Sequence, residues 1–315
     1  MKILVTGCCG FIGSHFTEKL LSVGHEVFGI DNMNDYYEPN IKYKNLEILE
    51  SYDRFIFKKE DIRDTKIIDE WEPEIVCHLA SMAGVRYSIK NPKLYFDVNV
   101  NGFINILEQC VKNKVKKIVY ASSSSVYGLN KKLPFSEEDK IESCNSPYAC
   151  SKLSMEQIAK TYFQLYEISS IGLRFFTVYG PRGRPDMAID KFLRAIHNEK
   201  KITKYGNGET SRDYTYISDI VDGIYNSVLR KEKDYQIYNL GNSNSITLND
   251  FISECEKVVG KKAKIENLGD QLGDVPHTYA DISKAKRDLN FDPKIKISEG
   301  LQLTFASIVD CQFIN

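Results

Sequence analysis

The feature that most constrains the fold of this chain is a set of spaced glycines close to its start. A β-rich segment, Lys2 to Thr6, leads into Gly7, Gly10 and Gly13, and a helical pattern runs from Ile12 to Val23. Glycines at this spacing allow a tight turn and let a pyrophosphate approach the N-terminus of the helix. Strand, glycine turn and helix in this order predict a dinucleotide site. Its expected contacts are Gly7, Gly10, Phe11, Ile12 and Gly13.

The first half of the chain alternates short β-rich runs with longer helical patterns. Further strands are expected at 26–30, 55–58, 75–79, 117–121 and 170–175, and helices at about 93–112 and 147–166. Such alternation is typical of a doubly wound parallel sheet. After Phe176 the rhythm changes, and helices are expected at about 217–230, 249–259 and 283–290.

These patterns predict an α/β fold with a Rossmann-like, doubly wound parallel sheet and a second, smaller α/β domain for a substrate. The expected boundary separates a dinucleotide-binding domain, 1–174, from a substrate-binding domain, 175–315. A segment at about 213–241 is expected to return to the first domain.

The charge balance of the chain argues against polyanionic partners. Its 315 residues include 42 basic and 43 acidic side chains, interspersed, with a net charge of −1. We therefore expect no binding to nucleic acid or to a membrane surface. No apolar stretch approaches the roughly 20 residues that span a bilayer, and no signal peptide precedes the glycine turn. The eight cysteines lack metal-ligand spacing, so we expect reduced thiols, no metal site and a cytoplasmic protein.

An acidic residue ends the second predicted strand, where a dinucleotide would place its adenosine ribose. Asp31 lies about twenty residues beyond the glycine turn, and its carboxylate can accept hydrogen bonds from both ribose hydroxyls. The same charge would repel a 2′-phosphate, and no arginine follows immediately, so NAD is favoured over NADP. Asp61 and Ile62, after the third strand, are candidates for holding the adenine, although a turn aspartate is an equally good interpretation of Asp61.

Tyr148 and Lys152 are the candidates for acid–base chemistry. Ser146 can cap a helix and Pro147 suits its first turn, so Tyr148 and Lys152 should share one helical face. The ammonium and the positive end of the helix dipole are expected to lower the pKa of the phenol from about 10 and to favour a general base. Taken alone, the pair also fits a surface tyrosine beside a solvated lysine.

Four motifs together resemble one enzyme family along essentially the whole chain. They are Thr6-Gly7-x-x-Gly10-x-x-Gly13, His78-Leu79-Ala80, Tyr148-x-x-x-Lys152 and Arg174-Phe175-Phe176-x-Val178-Tyr179-Gly180-Pro181. They resemble the extended short-chain dehydrogenases/reductases and, more narrowly, the nucleotide-sugar epimerases. This resemblance implies NAD-dependent C4 epimerisation of a UDP-sugar through a transient 4-keto intermediate. It also implies a homodimer in which the helices at 93–112 and 147–166 pair across a two-fold axis.

The resemblance also assigns roles near the reacting carbon. Ser123 would hydrogen-bond the reacting sugar oxygen, Tyr148 would act as the base, and Lys152 would bridge Tyr148 and the nicotinamide ribose. The remaining cofactor contacts that it implies are Asn32, Leu79, Ala80 and Asn99.

Two positions after Ser123 bear on the type of reaction. Sugar 4,6-dehydratases carry Asp-Glu where this chain has Ser124 and Ser125, and decarboxylases usually carry Ser-Glu there. A serine cannot supply the acid and base that elimination requires, so a dehydratase is disfavoured. A decarboxylase is disfavoured because the Ser-Glu pair is absent. A non-enzymatic NAD-binding protein that keeps the fold remains an alternative from another class.

The substrate half follows from the same resemblance. Thr177, Arg212 and the stretch from Gln271 to Asp274 match positions that hold the UDP pyrophosphate and ribose, and Tyr205 matches one near uracil. For Arg212, a surface salt bridge to Asp213 or Glu209 is the alternative.

Three stretches resemble those of epimerases that act on UDP-glucuronate, which implies UDP-galacturonate as product, and differ from those usual in epimerases of neutral sugars. They are Ile30-Asp31-Asn32-x-Asn34-Asp35-Tyr36-Tyr37, Ala83-Gly84-Val85-Arg86-Tyr87-Ser88 and Gly180-Pro181-Arg182-Gly183-Arg184-Pro185-Asp186-Met187. A C6 carboxylate needs a cation or several hydroxyls. We expect these from Arg184, Ser124, Ser125 and Thr177, and less strongly from Arg86. UDP-glucose and UDP-N-acetylglucosamine remain alternatives.

Overall fold

The computed structural model describes residues 1–269 and 275–310. In chain order the strands are β1 (Lys2–Thr6), β2 (Glu26–Asp31), β3 (Phe55–Lys59), β4 (Ile75–His78), β5 (Lys117–Ser123), β6 (Ser169–Phe175), β7 (Thr177–Tyr179), β8 (Lys201–Tyr205), β9 (Ser211–Tyr216), β10 (Tyr235–Leu240), β11 (Ser245–Thr247) and β12 (Lys264–Leu268).

The helices surround these strands. They are α1 (Phe11–Ser22), α2 (Pro39–Glu50), α3 (Ile67–Trp71), α4 (Val85–Lys90), α5 (Pro92–Tyr95), α6 (Gly102–Lys112), α7 (Pro147–Tyr166), α8 (Ala188–His197), α9 (Ile217–Leu229), α10 (Leu248–Val259), α11 (Ser283–Leu289) and α12 (Ile297–Asp310). A π-helical stretch, Phe96–Asn101, lies between α5 and α6, and a 3₁₀ turn, Ser124–Tyr127, follows β5.

The main sheet has seven strands in the order β10-β6-β5-β4-β1-β2-β3, and every neighbouring pair is parallel. The chain moves outward from β1 in one direction through β2 and β3, and then in the other direction from β4. The carboxyl ends of β1 and β4 therefore flank the switch point where such sheets bind ligands. The predicted α/β, Rossmann-like doubly wound fold is confirmed.

Both faces of the sheet are covered, which explains why its strands are apolar throughout. Along β1, Ile3 and Val5 pack into the cluster that includes α1 and α9, whereas Leu4 packs into the cluster that includes α6 and α7. Side chains along a strand alternate between faces, so each strand supplies both cores.

The later part of the chain forms two small sheets beside the main one. β9 lies between β7, to which it is parallel, and β11, to which it is antiparallel, while β8 and β12 form a parallel pair. β10 nevertheless belongs to the main sheet, next to β6. The proposed domain division at 174/175, with about 213–241 returning, stays a prediction. Across residues 1–269 and 275–310, no helix has the length and apolar character that crossing a membrane requires.

Several elements were not expected from the sequence. They are α2, α3, α4 and α12, and the strands β7, β8, β10, β11 and β12. In addition, the single helix expected at 93–112 is interrupted by the π-helical stretch. Pro39 at the first turn of α2 and the capping carboxylate of Glu38 are signals that could have identified that helix.

Candidate active site

In the turn between β1 and α1, which we call the glycine cradle, Gly7, Gly10 and Gly13 leave the backbone uncovered by side chains. A Cβ added to Gly13 would lie 2.0 Å from the Gly7 carbonyl oxygen, and one added to Gly7, at φ +71°, would lie 2.7 Å from the Ala80 nitrogen. Gly10 caps α1 without any side-chain hydrogen bond, so the amides at the start of the helix keep their positive potential. The cradle fits the pyrophosphate of a dinucleotide, which the spaced glycines predicted.

The carboxylate of Asp31 lies at the end of β2 and lines the same cavity. It accepts backbone N–H groups from Cys9 at 3.2 Å and Met33 at 2.9 Å, which fixes its orientation. Burial raises the pKa of Asp31, and the charge of Lys42 opposes that rise. Asn32 also lines the cavity, so the end of β2 presents the acceptors that an adenosine ribose requires.

Asp61 and Ile62 separate in the structure. Ile62 lines the cavity, whereas the carboxylate of Asp61 accepts hydrogen bonds from Arg63 and from the Asn32 amide at 2.9 Å. The hydrogen bond from Arg63 lowers the pKa of Asp61 to about 2. Asp61 does not line the cavity, so a direct contact with adenine stays a prediction, and its observed partner is the neighbouring Asn32.

Asn99 lies in the π-helical stretch behind the cavity wall. Its amide oxygen accepts the Met82 N–H at 2.7 Å, and its amide nitrogen donates to Ser151 Oγ at 2.9 Å. The side chain is fully buried and does not line the cavity, whereas the predicted contacts Leu79 and Ala80 do. Its predicted contact with the nicotinamide ribose stays a prediction; the contacts seen here hold Met82 and α7 in place.

The acid–base candidates converge where β5 ends and α7 begins. The Ser146 hydroxyl caps α7 by accepting the Ala149 N–H at 3.1 Å, which starts the helix one residue before Tyr148. Tyr148, Lys152 and Ser123 line one cavity, and a hydrogen bond joins the Ser123 and Tyr148 side chains. Lys152 is 1% exposed, and its ammonium donates to the Ala121 carbonyl at 2.7 Å.

The electrostatics of this pair differ from the expectation. Burial raises the pKa of Tyr148, and the hydrogen bond from Ser123 and the charge of Arg184 only partly offset it. Burial also lowers the pKa of Lys152 to about 7. The expected lowering of the Tyr148 pKa by Lys152 is therefore wrong for the protein chain by itself, because desolvation of the phenolate outweighs its neighbours.

Polar groups for the rest of a sugar lie across the cavity from α1. Ser124, Ser125, Thr177 and Arg184 all line it. The Arg184 guanidinium pairs with Asp186 through two contacts, at 2.9 and 2.5 Å, and lies 5.3 Å from the centre of the Tyr36 ring. Arg184 therefore presents a partly buried cation to the cavity that Tyr148 also lines.

Among the described residues, three predicted substrate contacts do not line this cavity: Arg86, Tyr205 and Arg212. Arg86 stacks on Tyr205, with its guanidinium 5.3 Å from the ring centre. Arg212 donates to the carbonyls of Ser211, at 2.9 Å, and Pro276. Their roles in binding UDP stay predictions, and Gln271 and Asp274 lie outside the described residues.

Sequence reasoning missed residues that come to the cavity from elsewhere. Tyr36 lines it and lies 3.3 Å from an Arg184 nitrogen, although 148 positions separate the two. Lys42 is 4% exposed and donates to the Asn34 carbonyl at 2.9 Å. A lysine inside the apolar stripe of a helix is the one local signal that could have singled it out, because buried lysines need partners.

The cavity has a volume of about 370 Å³ and runs from the glycine cradle past Tyr148 to Arg184. One end is suited to a dinucleotide and the other to a polar, acidic ligand. This arrangement places a base, a hydroxyl and a cation around a common space at the carboxyl ends of the parallel strands.

The chain belongs to the family described as GDP-mannose 4,6 dehydratase, whose sequence model matches residues 4–304. The resemblance to nucleotide-sugar enzymes of the extended short-chain dehydrogenases/reductases is confirmed. Over 306 residues the chain is 44% identical to the UDP-glucuronate 4-epimerase of Thermodesulfobacterium geofontis, covering 96% of this chain and 94% of that protein.

Solved structures agree with this placement. The fold matches the UDP-glucuronic acid 4-epimerase of Bacillus cereus in complex with UDP-glucuronic acid and NAD, with a TM-score of 0.94 and 36% identity over 99% of this chain and 100% of that one. It also matches the UDP-glucose 4-epimerase of Thermotoga maritima with UDP-glucose, with a TM-score of 0.92 and 30% identity over 99% and 100% of the two chains.

Proposed function

We propose that this protein is an isomerase, an NAD-dependent 4-epimerase of UDP-sugars, and that it interconverts UDP-glucuronate and UDP-galacturonate. The observation that carries the proposal is one cavity lined by Ser123, Tyr148 and Lys152 and also by the Arg184 cation. The relatives that act on UDP-glucuronate support the choice of sugar. UDP-sugar and NAD are thus the proposed ligands.

The side chains at the end of β5 and the start of α7 carry the proton transfer. Bound NAD⁺ would supply the acceptor for the C4 hydride and the same hydride for the return step, and its positive charge would favour the Tyr148 phenolate. Tyr148 takes the proton from the sugar 4-hydroxyl, while Ser123 donates a hydrogen bond to the same oxygen. Lys152 orients the ribose and stabilises the phenolate. After the 4-keto sugar has turned to offer its other face, Tyr148 returns the proton.

If the sugar is an acid, Arg184 protects the 4-keto intermediate from decarboxylation. Oxidation of UDP-glucuronate at C4 gives a β-keto acid, which tends to lose CO₂. A guanidinium that holds the carboxylate, aided by Ser124, Ser125 and Thr177, keeps the carboxylate C–C bond out of line with the carbonyl π system. The epimerase can then return the 4-keto acid to a hydroxyl without losing carbon.

A neutral UDP-sugar is the second candidate. The relative from Thermotoga maritima with UDP-glucose supports it, and the Asp186 carboxylate pairs with Arg184, so the cation has a partner within the chain. The dehydratase in the family description is disfavoured, because Ser124 and Ser125 replace the Asp-Glu pair that elimination requires. Intact Ser123, Tyr148 and Lys152 argue against a non-enzymatic NAD-binding protein.

We also propose that the protein is a cytoplasmic homodimer. The family resemblance supports pairing through the helices at 93–112 and 147–166. Exposed apolar side chains on this side of the molecule, Phe96 and Leu165 among them, agree with such an interface. Sedimentation velocity would test the dimer directly.

Proton NMR of UDP-glucuronate incubated with the purified protein and NAD⁺ tests the proposed function. We expect a new anomeric signal from UDP-galacturonate at constant total sugar, and no such signal with Tyr148→Phe. Removing the phenol should lower kcat by about 10²–10⁴-fold, the usual contribution of a positioned acid–base group.

The other outcomes separate the alternatives. A UDP-pentose signal with release of CO₂ would mean decarboxylation. Turnover of UDP-glucose or UDP-N-acetylglucosamine alone would establish the neutral-sugar alternative. Retained NAD without turnover of any UDP-sugar would contradict the proposal and favour a non-enzymatic role.

A further inference from the structure

A buried anion lies beneath the active site, outside the cavity itself. Glu156 is 1% exposed and lies one helical turn beyond Lys152 on α7. Its carboxylate accepts hydrogen bonds from Ser122 Oγ at 2.5 Å and from Arg174 Nε and Nη2 at 2.9 and 2.7 Å. Neither Glu156 nor Arg174 lines the cavity, so neither can touch a substrate there.

The partners of Glu156 are adjacent across the main sheet. Ser122 on β5 and Arg174 on β6 are paired in register, and Ser122 immediately precedes Ser123. Arg174 is 5% exposed and lies 4.8 Å from the centre of the Tyr127 ring. Through these hydrogen bonds, Glu156 connects α7 to the end of β5, where Ser123 lies.

The same anion acts on the charge of Lys152. The lysine ammonium donates to the Ala121 carbonyl, and the negative charge of Glu156 favours its protonated form. Burial lowers the pKa of Lys152 to about 7, and Glu156 acts in the opposite direction. The titratable and charged groups that face Lys152 and Glu156 are Tyr148 on α7, His78 on β4, Tyr120 on β5, Arg174 on β6, Tyr235 on β10 and Cys144 in the loop before α7.

We propose that Glu156 is a positioning residue of the epimerase: it holds the Ser122–Ser123 strand end against α7 and supplies the buried negative charge opposite Lys152. This inference rests on the proposed function. Without Glu156, Arg174 would lose the carboxylate that forms its ion pair, and Lys152 would lose the negative charge that supports its protonated form. Of the two, the lysine is the one able to lose its proton, because a guanidinium stays charged.

The consequence is a specific change in pH dependence. Lys152 loses its charge as the pH rises through its pKa, and the Tyr148 phenolate then loses its stabilising neighbour. Glu156→Gln keeps the size and the hydrogen-bonding oxygen but removes the charge, so Lys152 should lose its proton at lower pH. The high-pH limb of the kcat profile should then move down by about one pH unit or more.

The experiment compares four variants with the wild-type protein over pH 6–10, each with bound NAD⁺ and UDP-glucuronate. Glu156→Gln should lower kcat roughly tenfold at pH 8, with little change in KM. Glu156→Asp keeps the charge and should restore the position of the limb. Ser122→Ala removes the strand contact alone, so kcat should fall while the limb stays in place.

Asp213→Asn is the matched control for the loss of a buried carboxylate. Asp213 accepts backbone N–H groups from Asn242 at 2.7 Å, Ser243 at 3.0 Å and Ala280 at 3.1 Å, all away from Lys152. The control should lower the melting temperature without moving the high-pH limb.

A second readout does not need turnover. In protein labelled at the lysine ¹³Cε atoms, the Lys152 signal is the one lost in Lys152→Arg, and its titration midpoint should lie near 7 in the wild type. We expect a lower midpoint in Glu156→Gln and an unchanged one in Asp213→Asn.

Either readout can overturn the inference. Equal Lys152 midpoints in the wild type and Glu156→Gln would do so, as would a Glu156→Gln variant that loses stability but keeps the wild-type pH profile. If the wild type turns over no UDP-sugar while the Lys152 midpoint still shifts in Glu156→Gln, the proposed function fails and the link between Glu156 and Lys152 stands.

Discussion

At the scale of single residues, the proposed choice of an acidic over a neutral sugar depends on Arg184. Its guanidinium lines the cavity, is 17% exposed and also lowers the pKa of Tyr148. A cation in this position favours a carboxylate over a hydroxymethyl group because desolvated, charge-assisted hydrogen bonds are the strong ones.

We expect Arg184→Ala to weaken binding of UDP-glucuronate selectively. Loss of a partly buried, charge-assisted contact should raise KM for the acid about 10–100-fold, with a much smaller change for UDP-glucose. Steady-state kinetics with both sugars would measure this.

Arg182→Ala is the control, because Arg182 belongs to the same loop but pairs with Glu18 at 2.5 Å and does not line the cavity. Equal losses for acidic and neutral sugars in Arg184→Ala, or equal effects of the two variants, would count against the carboxylate role.

The site residues that could be predicted from the sequence are those that belong to short motifs. Gly7, Gly13 and Lys152 line one cavity as their spacing suggested, and Ser123 lines it as the family resemblance implied. Tyr36 could not be placed in this way, since its contact with Arg184 depends on how distant segments pack.

At the scale of secondary structure, the first turn of α7 determines where Tyr148 lies. The helix begins at Pro147 under the Ser146 cap, and Tyr148 is its second residue. Fraying of this turn would move the phenol relative to Ser123, which is held separately at the end of β5.

We therefore expect Ser146→Ala to affect both stability and catalysis. Loss of the N-cap should cost about 1 kcal/mol of the free energy of unfolding, and kcat should fall several-fold. Thermal melting and steady-state kinetics would measure the two effects.

Thr247→Ala is the matched control, since Thr247 caps α10 by accepting the Asp250 N–H at 3.0 Å, far from the cavity. It should lower the melting temperature similarly and leave kcat unchanged. Identical behaviour of the two variants in both assays would show that the α7 cap has no special link to the reaction.

There are physical reasons why some elements could not be predicted from the sequence. The π-helical stretch at Phe96–Asn101 contains Asn99, whose side chain bonds to Met82 and Ser151 in other segments, and no local pattern reveals such contacts. β10 was missed because it pairs with β6 only after the chain has left the main sheet and come back.

At the scale of the whole molecule, the proposed cofactor site draws on β1, β2, β4, β5 and α7 together. A ligand that binds there contacts most of the main sheet and should stabilise the native state as a unit. Asp31 at the end of β2 should make this effect selective, because its carboxylate repels a 2′-phosphate.

We expect NAD⁺ at about 100 times its Kd to raise the melting temperature by about 4 °C, since binding adds about 2.7 kcal/mol to the free energy of unfolding. The same concentration of NADP⁺ should give a much smaller rise. Differential scanning fluorimetry would measure both, and Asp31→Asn should reduce the difference between the two cofactors. Equal rises in the wild type would contradict the preference for NAD.

The ion pair between Arg184 and Asp186 has a consequence for the anions of the cell. A bare guanidinium in a polar cavity would attract inorganic phosphate and sulfate, which are small, abundant and doubly charged. Because the protein provides its own carboxylate two residues away, such ions gain little by entering. A sugar acid differs from phosphate and sulfate because it would also contact the rest of the cavity. It could therefore bind beside Arg184 even when these small anions are abundant.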